Sequence, residues 1–239
     1  MNKIIKKLSV SLVLLSFPLS VLAYSNKVIL GGQNIGITIN SKGVLVVGFY
    51  KVNNVYNPSH LLSGDYIIKV GGEEVNSIKE LVQKVDKLAK DNKVDITFIR
   101  DNKEYTTTLN LENNNGSYKT GVYVKDSMLG NGTLTYIDPE TKIYGALGHY
   151  IIDSSSNEAF AIKDGKIFKS IITSITKSSN GNPGSINTKF FKDTIYGDIN
   201  KNSEAGIFGK FTSDIDNDNL IEIAEASKIN PGPALIVTS

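Results

Sequence analysis

The chain of 239 residues contains no cysteine. This absence excludes disulfides, thiolate metal sites and a cysteine nucleophile. Only two histidines are present, and no HExxH motif or comparable spacing of metal ligands occurs. A zinc site would therefore have to rely on carboxylates. The sequence predicts neither a metal site nor a cofactor.

Arginine is almost absent as well, since Arg100 is the single one and nearly all positive charge is lysine. Paired arginine contacts to bases or phosphates are therefore largely lacking. The net charge is only +2, so no strong field attracts nucleic acid or anionic lipid. We expect no nucleic-acid partner.

The overall composition, with 40% hydrophobic and 21% charged residues, is typical of a chain that folds into a globular structure. Its length suits one large or two small domains. The composition and the succession of strand-like runs predict a mainly β protein with one or two helices.

Residues 1–27 at the N-terminus contain the features of an export signal in the expected order. Lys3, Lys6 and Lys7 precede an apolar run from Leu8 to Ala23. This run is shorter than the roughly 20 residues that span a bilayer comfortably. We expect export across the cytoplasmic membrane, with either cleavage after Ala23 or retention of the run as a short anchor.

Residues 28–111 contain the elements of a small α/β unit. A dense apolar run from Gly43 to Tyr50 predicts a central strand. Apolar residues then recur at helical spacing after Ser77, a candidate N-cap with Glu80 three residues later. Two alternating runs joined by Asp101-Asn102 predict a β-hairpin.

This inventory, with the Ser63–Val75 stretch, resembles a PDZ domain. PDZ domains bind an extended peptide at a sheet edge, beside a glycine-rich loop and a helix. The resemblance places Ile37 and Ile39 on that edge, with Leu81 or Val85 as the groove floor. It assigns the peptide-binding loop to Gly32, Gln33, Asn34, Ile35, Gly36 and Ile37. Two alternatives stay open: the glycines only form a turn, or an internal segment of the same chain occupies the groove.

Residues 112–117, Glu-Asn-Asn-Asn-Gly-Ser, form a polar break that predicts a linker. Residues 118–239 then show further strand-like runs. Asp138-Pro139 predicts a turn, and Asp164-Gly165 predicts a hairpin between Phe160–Ile162 and Ile167-Phe168.

The most informative stretch of this second unit is Tyr144–Asp153, which contains His149. An imidazole between a glycine-containing turn and a strand can take up a proton near neutral pH. From the local sequence alone, an ordinary packed or surface histidine is the favoured interpretation. Asp153 and Asp198 are available as acidic partners, but nothing in the sequence favours either.

Four short motifs occur in a characteristic order: Gly145-Ala146-Leu147-Gly148-His149, Gly181-Asn182-Pro183-Gly184, Gly197-Asp198-Ile199-Asn200 and Gly206-Ile207-Phe208-Gly209. In this order and spacing, the chain from about Val28 onward resembles the stage IV sporulation protein B (SpoIVB) serine peptidases, which carry a PDZ domain. The resemblance implies that His149 is the general base, on half of a trypsin-like two-barrel fold. The motifs at residues 181–184 and 206–209 either shape the site around His149 or form ordinary hairpin loops, and turn chemistry favours the loops.

One departure from the family is evident. SpoIVB peptidases carry the nucleophilic serine in a Gly-Met-Ser-Gly-Ser-Pro segment, with the acidic partner in the same later region. Neither that segment nor any Gly-x-Ser-x-Gly occurs here. A catalytic triad needs nucleophile, base and acid. We therefore expect residues 118–239 to be a partial, truncated peptidase domain and the chain alone to be inactive.

The resemblance implies a protein or peptide substrate that is associated with a membrane, and a role in signalling between the compartments of a sporulating cell. It also implies a location between the forespore and mother-cell membranes. A separately encoded serine-containing half would complement this chain. The alternative is a non-catalytic, PDZ-containing remnant that acts as a binding module.

Overall fold

The computed structural model of the chain describes residues 25–56, 59–154, 157–215 and 219–238. The predicted export signal lies almost wholly outside these residues. The first unit contains the helix α1 (Ile78–Leu88) and the strands β1 (Lys27–Leu30), β2 (Asn34–Phe49), β3 (Lys51–Val52), β4 (Val55–Tyr56), β5 (Tyr66–Val70), β6 (Glu73–Glu74), β7 (Lys93–Arg100) and β8 (Lys103–Asn110).

The remaining chain is almost entirely β. Among its described residues, the one short helical segment is the 3-10 turn Ala226–Lys228. Its strands are β9 (Glu112–Asn114), β10 (Ser117–Lys119), β11 (Val122–Ile137), β12 (Ile143–Ala146), β13 (Ile152–Asp153), β14 (Glu158–Ala159), β15 (Ile162–Thr176), β16 (Ser185–Ile199), β17 (Lys201–Ser203), β18 (Gly206–Lys210) and β19 (Leu220–Glu222).

The strand β2 is the centre of the main sheet, which runs β17-β18-β12-β11-β2-β5-β7-β8. Along one edge, β2 pairs with β11 over nearly its whole length. Along the other edge, its first half pairs with β15 and its second half with β5. All of these neighbours are antiparallel. The strand thus joins the helix-containing unit to the rest of the chain.

Local sequence signals produce the helix α1 and the β7–β8 hairpin as predicted. The Ser77 hydroxyl accepts a hydrogen bond from the Glu80 amide at 3.2 Å, and the Glu80 carboxylate accepts one from the Asn76 amide at 3.0 Å. These contacts satisfy amides that the first helical turn leaves unpaired. Asp101 and Asn102 both have positive φ values, as a two-residue hairpin turn requires.

The predicted hairpin turn at Asp164-Gly165 is wrong. Both residues lie inside the continuous strand β15, where they pair with Asn40 and Ile39 of β2. A side chain at Gly165 would meet the Thr38 carbonyl oxygen at 2.7 Å. The glycine therefore permits close approach of two strands rather than a turn.

Two apolar cores lie on the sheet, and β2 contributes to both. Val44 and Val46 pack with α1, β5 and β7 in one cluster. Ile35, Ile37 and Ile39 pack with residues of β11, β12, β15 and β18 in the other. The alternation of side chains along a single long strand allows it to serve two cores.

The fold class predicted from the sequence is confirmed: the described residues form a mainly β structure with one α-helix, in which a PDZ-like unit precedes part of a β-barrel. At the predicted linker, residues 112–119 form the small β9–β10 hairpin. The unit boundaries at 111 and 118 stay predictions. In the part of the chain that the structure describes, no helix is both long and apolar enough to cross a membrane.

Candidate functional site

The strand β12 leads directly to His149 and is firmly anchored. It lies between β11 and β18. Tyr144 on this strand is fully buried, and its hydroxyl donates a hydrogen bond to the Asp198 carbonyl at 2.9 Å. Burial and the nearby Asp198 charge raise the pKa of Tyr144 well above its usual value, so the hydroxyl stays neutral. The strand that leads to His149 is therefore held by a neighbouring strand on each edge.

After β12 the backbone makes a tight turn at Leu147 and Gly148, which have φ values of 73° and 77°. The Leu147 amide donates to the Thr133 carbonyl at 3.1 Å, and the Gly148 amide to the Ala146 carbonyl at 3.0 Å. A left-handed backbone is unfavourable for leucine and typically costs about 1–3 kcal/mol. The surrounding structure thus holds a strained residue two positions before His149.

Two glycines on neighbouring strands make room for this turn. A side chain at Gly132 of β11 would collide with the Leu147 side chain. A side chain at Gly206 of β18 would collide with the Ala146 carbonyl and meet the Gly148 amide nitrogen at 2.8 Å. The motif beginning at Gly206 therefore shapes the backbone before His149. Residues 181–184, in contrast, lie in the loop between β15 and β16 and form an ordinary turn.

The His149 side chain is exposed, and its Nδ1 lies 2.8 Å from the Tyr150 carbonyl oxygen. A carbonyl oxygen can only accept a hydrogen bond, so Nδ1 carries the proton of the neutral ring. Nε2 is then left with a free lone pair and can act as a base. Within the described ranges, no serine hydroxyl forms a hydrogen bond with this ring.

Neither acidic candidate from the sequence binds His149. The Asp153 carboxylate is buried and forms an ion pair with the Lys125 ammonium group at 2.7 Å. Asp198 contributes its backbone carbonyl to Tyr144 instead. In the described structure, the Tyr150 carbonyl takes the place next to Nδ1 that an acid occupies in a triad.

Sequence reasoning missed Asn202, which positions the segment after His149. Its Oδ1 accepts a hydrogen bond from the Ile151 amide at 2.8 Å, and its Nδ2 donates to the Ile151 carbonyl at 2.9 Å. Asn202 lies on β17, only two residues beyond the Gly197–Asn200 motif. No local pattern in the sequence distinguishes it from the other asparagines of the chain.

His149 borders an open cavity of about 360 Å³ between β11 and residues 149–152. This volume lies within the range of about 300–1,000 Å³ that is typical of ligand sites. A base beside a cavity of this size can take a proton from a group brought in by a ligand or by another polypeptide.

The predicted peptide-binding residues are all within the described structure, but β2 has no free edge there. Ile35 and Ile37 are buried, and both are paired with β11 on one side and β15 on the other. Gly36 allows the Phe168 ring of β15 to pack directly over the strand. The expectation that Ile37 and Ile39 lie on an edge strand is therefore wrong, because strands distant in sequence occupy both edges.

The loop residues before β2 and the first residue of that strand are engaged by the chain itself. The Gly32 amide donates to the Leu134 carbonyl at 2.7 Å, and Asn34 Nδ2 donates to the Ser170 hydroxyl at 2.6 Å. Gln33 is exposed, and its carbonyl accepts from the Leu134 amide at 3.0 Å. A peptide-binding role for these residues stays a prediction.

An internal segment also lies beside the helix α1, in which Leu81 and Val85 are buried. The Tyr118 amide donates to the Asp86 carboxylate at 3.2 Å, and the Ile78 amide donates to the Asp126 carboxylate at 2.8 Å. These contacts place residues of the same chain beside the helix, and occupation of the groove by an internal segment stays a prediction.

Across the residues that the structure describes, no three His, Asp or Glu side chains come together in a way that could hold a metal ion.

The comparisons with known proteins identify both units. A family model for the SpoIVB peptidase S55 matches residues 116–239, and a PDZ domain model matches residues 34–111. The chain belongs to the SpoIVB peptidase S55 family. Together the two models confirm the resemblance inferred from the glycine motifs and the PDZ-like inventory.

No curated protein sequence matches the chain. Among solved structures, it is similar to the PDZ domain of the SdrC-like protein from Listeria monocytogenes, at 18% identity and a TM-score of 0.29. That match covers 36% of this chain and 90% of the Listeria chain.

Proposed function

We propose that this SpoIVB-type protein carries the general base of an exported serine endopeptidase, and that His149 is that base. The observation that carries the proposal is the 2.8 Å contact of His149 Nδ1 with the Tyr150 carbonyl oxygen: because the carbonyl can only accept, the neutral ring donates from Nδ1 and leaves Nε2 to accept a proton beside an open cavity. Both the family and the PDZ domain fit a protein that acts on polypeptides.

The nucleophile is proposed to come from outside these 239 residues, because Gly-Met-Ser-Gly-Ser-Pro does not occur in them. Loss of the nucleophile from a serine protease lowers turnover on the order of a million-fold. The chain alone is therefore proposed to be inactive, and a serine-containing polypeptide is proposed to complete the site. Export, a membrane-associated substrate and a role in sporulation signalling belong to the same proposal.

A binding module without catalysis is the second candidate. It would use the PDZ unit, but strand addition at residues 35–39 of β2 is blocked because both edges of the strand are paired. The occupied edges make this candidate weaker than the peptidase.

The test combines the purified full chain with a polypeptide that contains the serine segment of another family member. Cleavage of casein and labelling by a fluorophosphonate probe are measured. We expect no activity from either part alone, activity from the mixture, and its loss in His149→Asn. The matched control is His60→Asn, at the only other histidine, where asparagine tolerates the positive φ value of 58°.

Two outcomes would count against the proposal. Probe labelling and cleavage by the chain alone would show that it contains its own nucleophile. Activity of the mixture that persists in His149→Asn would show that His149 is not the base. Cell fractionation tests export separately, and an intact product found wholly in the cytosol would exclude it.

A further inference from the structure

The cleft beside His149 has a floor of aliphatic side chains and no permanently charged residue in its lining. Ile37 and Ile39 of β2 are buried beneath it, and Met128, Leu147 and Ile151 are half-buried around it. Among the described residues that line it, none is Asp, Glu, Lys or Arg. A charged group placed against this aliphatic floor would lose its hydration, and no lining Asp, Glu, Lys or Arg would pair with it, whereas an apolar side chain would gain by burial.

One wall of the cleft is the backbone of β11 at Met128–Asn131. These residues pair with Ile39–Gly36 of β2 along one edge. Along the other edge, pairing with β12 begins only at Leu134, and no described strand pairs with 128–131. An unpaired edge presents backbone donors and acceptors to which an extended peptide can add.

Gly130 lies in the same stretch of β11, and the space around it is open. A side chain added at Gly130 would meet nothing within 4 Å, whereas one added at Gly132, two residues later, would collide with Leu147. No neighbour therefore requires glycine at position 130. A glycine inside a strand weakens it and often marks close approach of a ligand or another backbone.

We propose that this cleft binds an extended polypeptide segment, which adds to β11 at Met128–Asn131 and places one large apolar side chain in the cavity. The inference rests on the proposed function, because it names the substrate class of the His149 site. The open edge supplies hydrogen bonds to any sequence, and the uncharged cavity selects leucine, isoleucine, valine or phenylalanine near the bond to be cleaved.

The experiment measures binding, which needs no nucleophile. Fluorescein-labelled, end-blocked octapeptides of Ser, Thr and Gly carry Leu, Phe, Ala, Asp or Lys at one central position. Their affinities for the full chain are measured by fluorescence polarisation. We expect the Leu peptide to bind at least about tenfold more tightly than the Ala peptide, since one methylene in an apolar pocket is worth about tenfold or more. The Asp and Lys peptides should bind more weakly still.

Variants of the cleft provide matched controls. Ile152→Glu and Leu129→Glu place a carboxylate on its rim and should weaken the Leu peptide at least about tenfold. Ile143→Glu is the control, because Ile143 on β12 is 48% exposed, as Ile152 (47%) and Leu129 (49%) are, and lies outside the cleft. Gly130→Val should weaken binding while leaving the thermal midpoint unchanged or higher, since valine favours strands.

Equal affinity for the Leu and Asp peptides, equal effects of Ile152→Glu and Ile143→Glu, or no binding of any peptide would overturn the proposal. The assignment of His149 as the base is tested independently of the cleft. If the Leu preference is observed but His149→Asn leaves the complemented protease active, the cleft stands and the proposed base is wrong. If cleavage depends on His149 without any preference for apolar peptides, the base stands and the cleft is wrong.

Discussion

The side chain of Asn202 forms hydrogen bonds with both backbone polar groups of Ile151, at 2.8 Å and 2.9 Å. The same Nδ2 also donates to the Phe160 carbonyl at 3.2 Å. A single carboxamide thus joins β17 to the segment that follows His149 and forms one wall of the cleft. Half-buried groups of this kind are costly to leave unpaired.

The first prediction concerns this contact. Asn202→Asp keeps the size of the side chain but removes its donors, so the Ile151 carbonyl would face a carboxylate. We expect a loss of about 1–3 kcal/mol in the free energy of unfolding and a changed NMR chemical shift of the His149 ring. Urea unfolding and histidine-selective NMR measure both. Asn187→Asp, at an exposed asparagine of β16, is the control, and equal effects of the two changes would contradict the prediction.

The second prediction concerns the ion pair of Asp65 and Arg100. Asp65 is buried, and its two oxygens accept from Arg100 Nε at 2.7 Å and Nη2 at 2.6 Å. Arg100→Met would leave a buried carboxylate without its cation, at a cost of about 3–5 kcal/mol in the free energy of unfolding.

The control for this ion pair is Lys69→Met, which removes the more exposed contact with Glu104 at 3.6 Å. We expect this change to cost less than about 1 kcal/mol, since exposed pairs contribute little. Urea unfolding of both variants makes the comparison. A loss below 1 kcal/mol for Arg100→Met would show that the buried pair is not stabilising.

The third prediction is a loss of stability at alkaline pH. Burial raises the pKa of Tyr144 above the usual value of 10.0, and burial also raises the pKa of Tyr66. Above pH 10 both tyrosines lose their protons in the unfolded chain but keep them in the folded chain. Their contribution to the free energy of unfolding is therefore complete below pH 10 and is lost as the pH rises further. Each such tyrosine steepens the fall by at most about 1.4 kcal/mol per pH unit.

Tyr144→Phe should reduce this alkaline slope and cost about 1 kcal/mol at neutral pH for the lost hydrogen bond. Urea unfolding from neutral pH to about pH 11 measures both effects. Tyr123→Phe, at a side chain that is 57% exposed, is the control. An unchanged slope in Tyr144→Phe would exclude Tyr144 as a source of the alkaline instability.

The fourth prediction concerns β2. Ile35 is fully buried and paired on both edges, so Ile35→Asp should destabilise the whole fold rather than only a peptide groove. We expect a cost above about 4 kcal/mol, because a buried charge would have no partner. Ile171→Asp, on the same sheet but 44% exposed, should change stability by about 0.5 kcal/mol or less. Thermal unfolding followed by circular dichroism distinguishes the two, and an Ile35→Asp variant as stable as the parent would contradict the burial of this side chain.

Elements set by local interactions were predictable from the sequence. The helix after Ser77 and the hairpin at Asp101-Asn102 follow from capping, apolar spacing and turn residues that act within a few positions. The prediction of a turn at Asp164-Gly165 was wrong because the role of these residues is set by a contact that is not local. Gly165 permits close contact with Thr38, which lies on a strand that is distant in sequence.

By itself, the sequence determined the mainly β class, the PDZ-like and SpoIVB-type units, and His149 as the candidate base, since these rest on composition, local periodicity and short motifs. Only the tertiary structure decided that both edges of β2 are paired, that Tyr150 and Asn202 hold the His149 segment, and that an apolar cleft opens along β11. The pairing of β2 and the Asn202 contact depend on hydrogen bonds between residues tens of positions apart. Pairing over such distances is selected by the packing of the whole chain and leaves no local pattern.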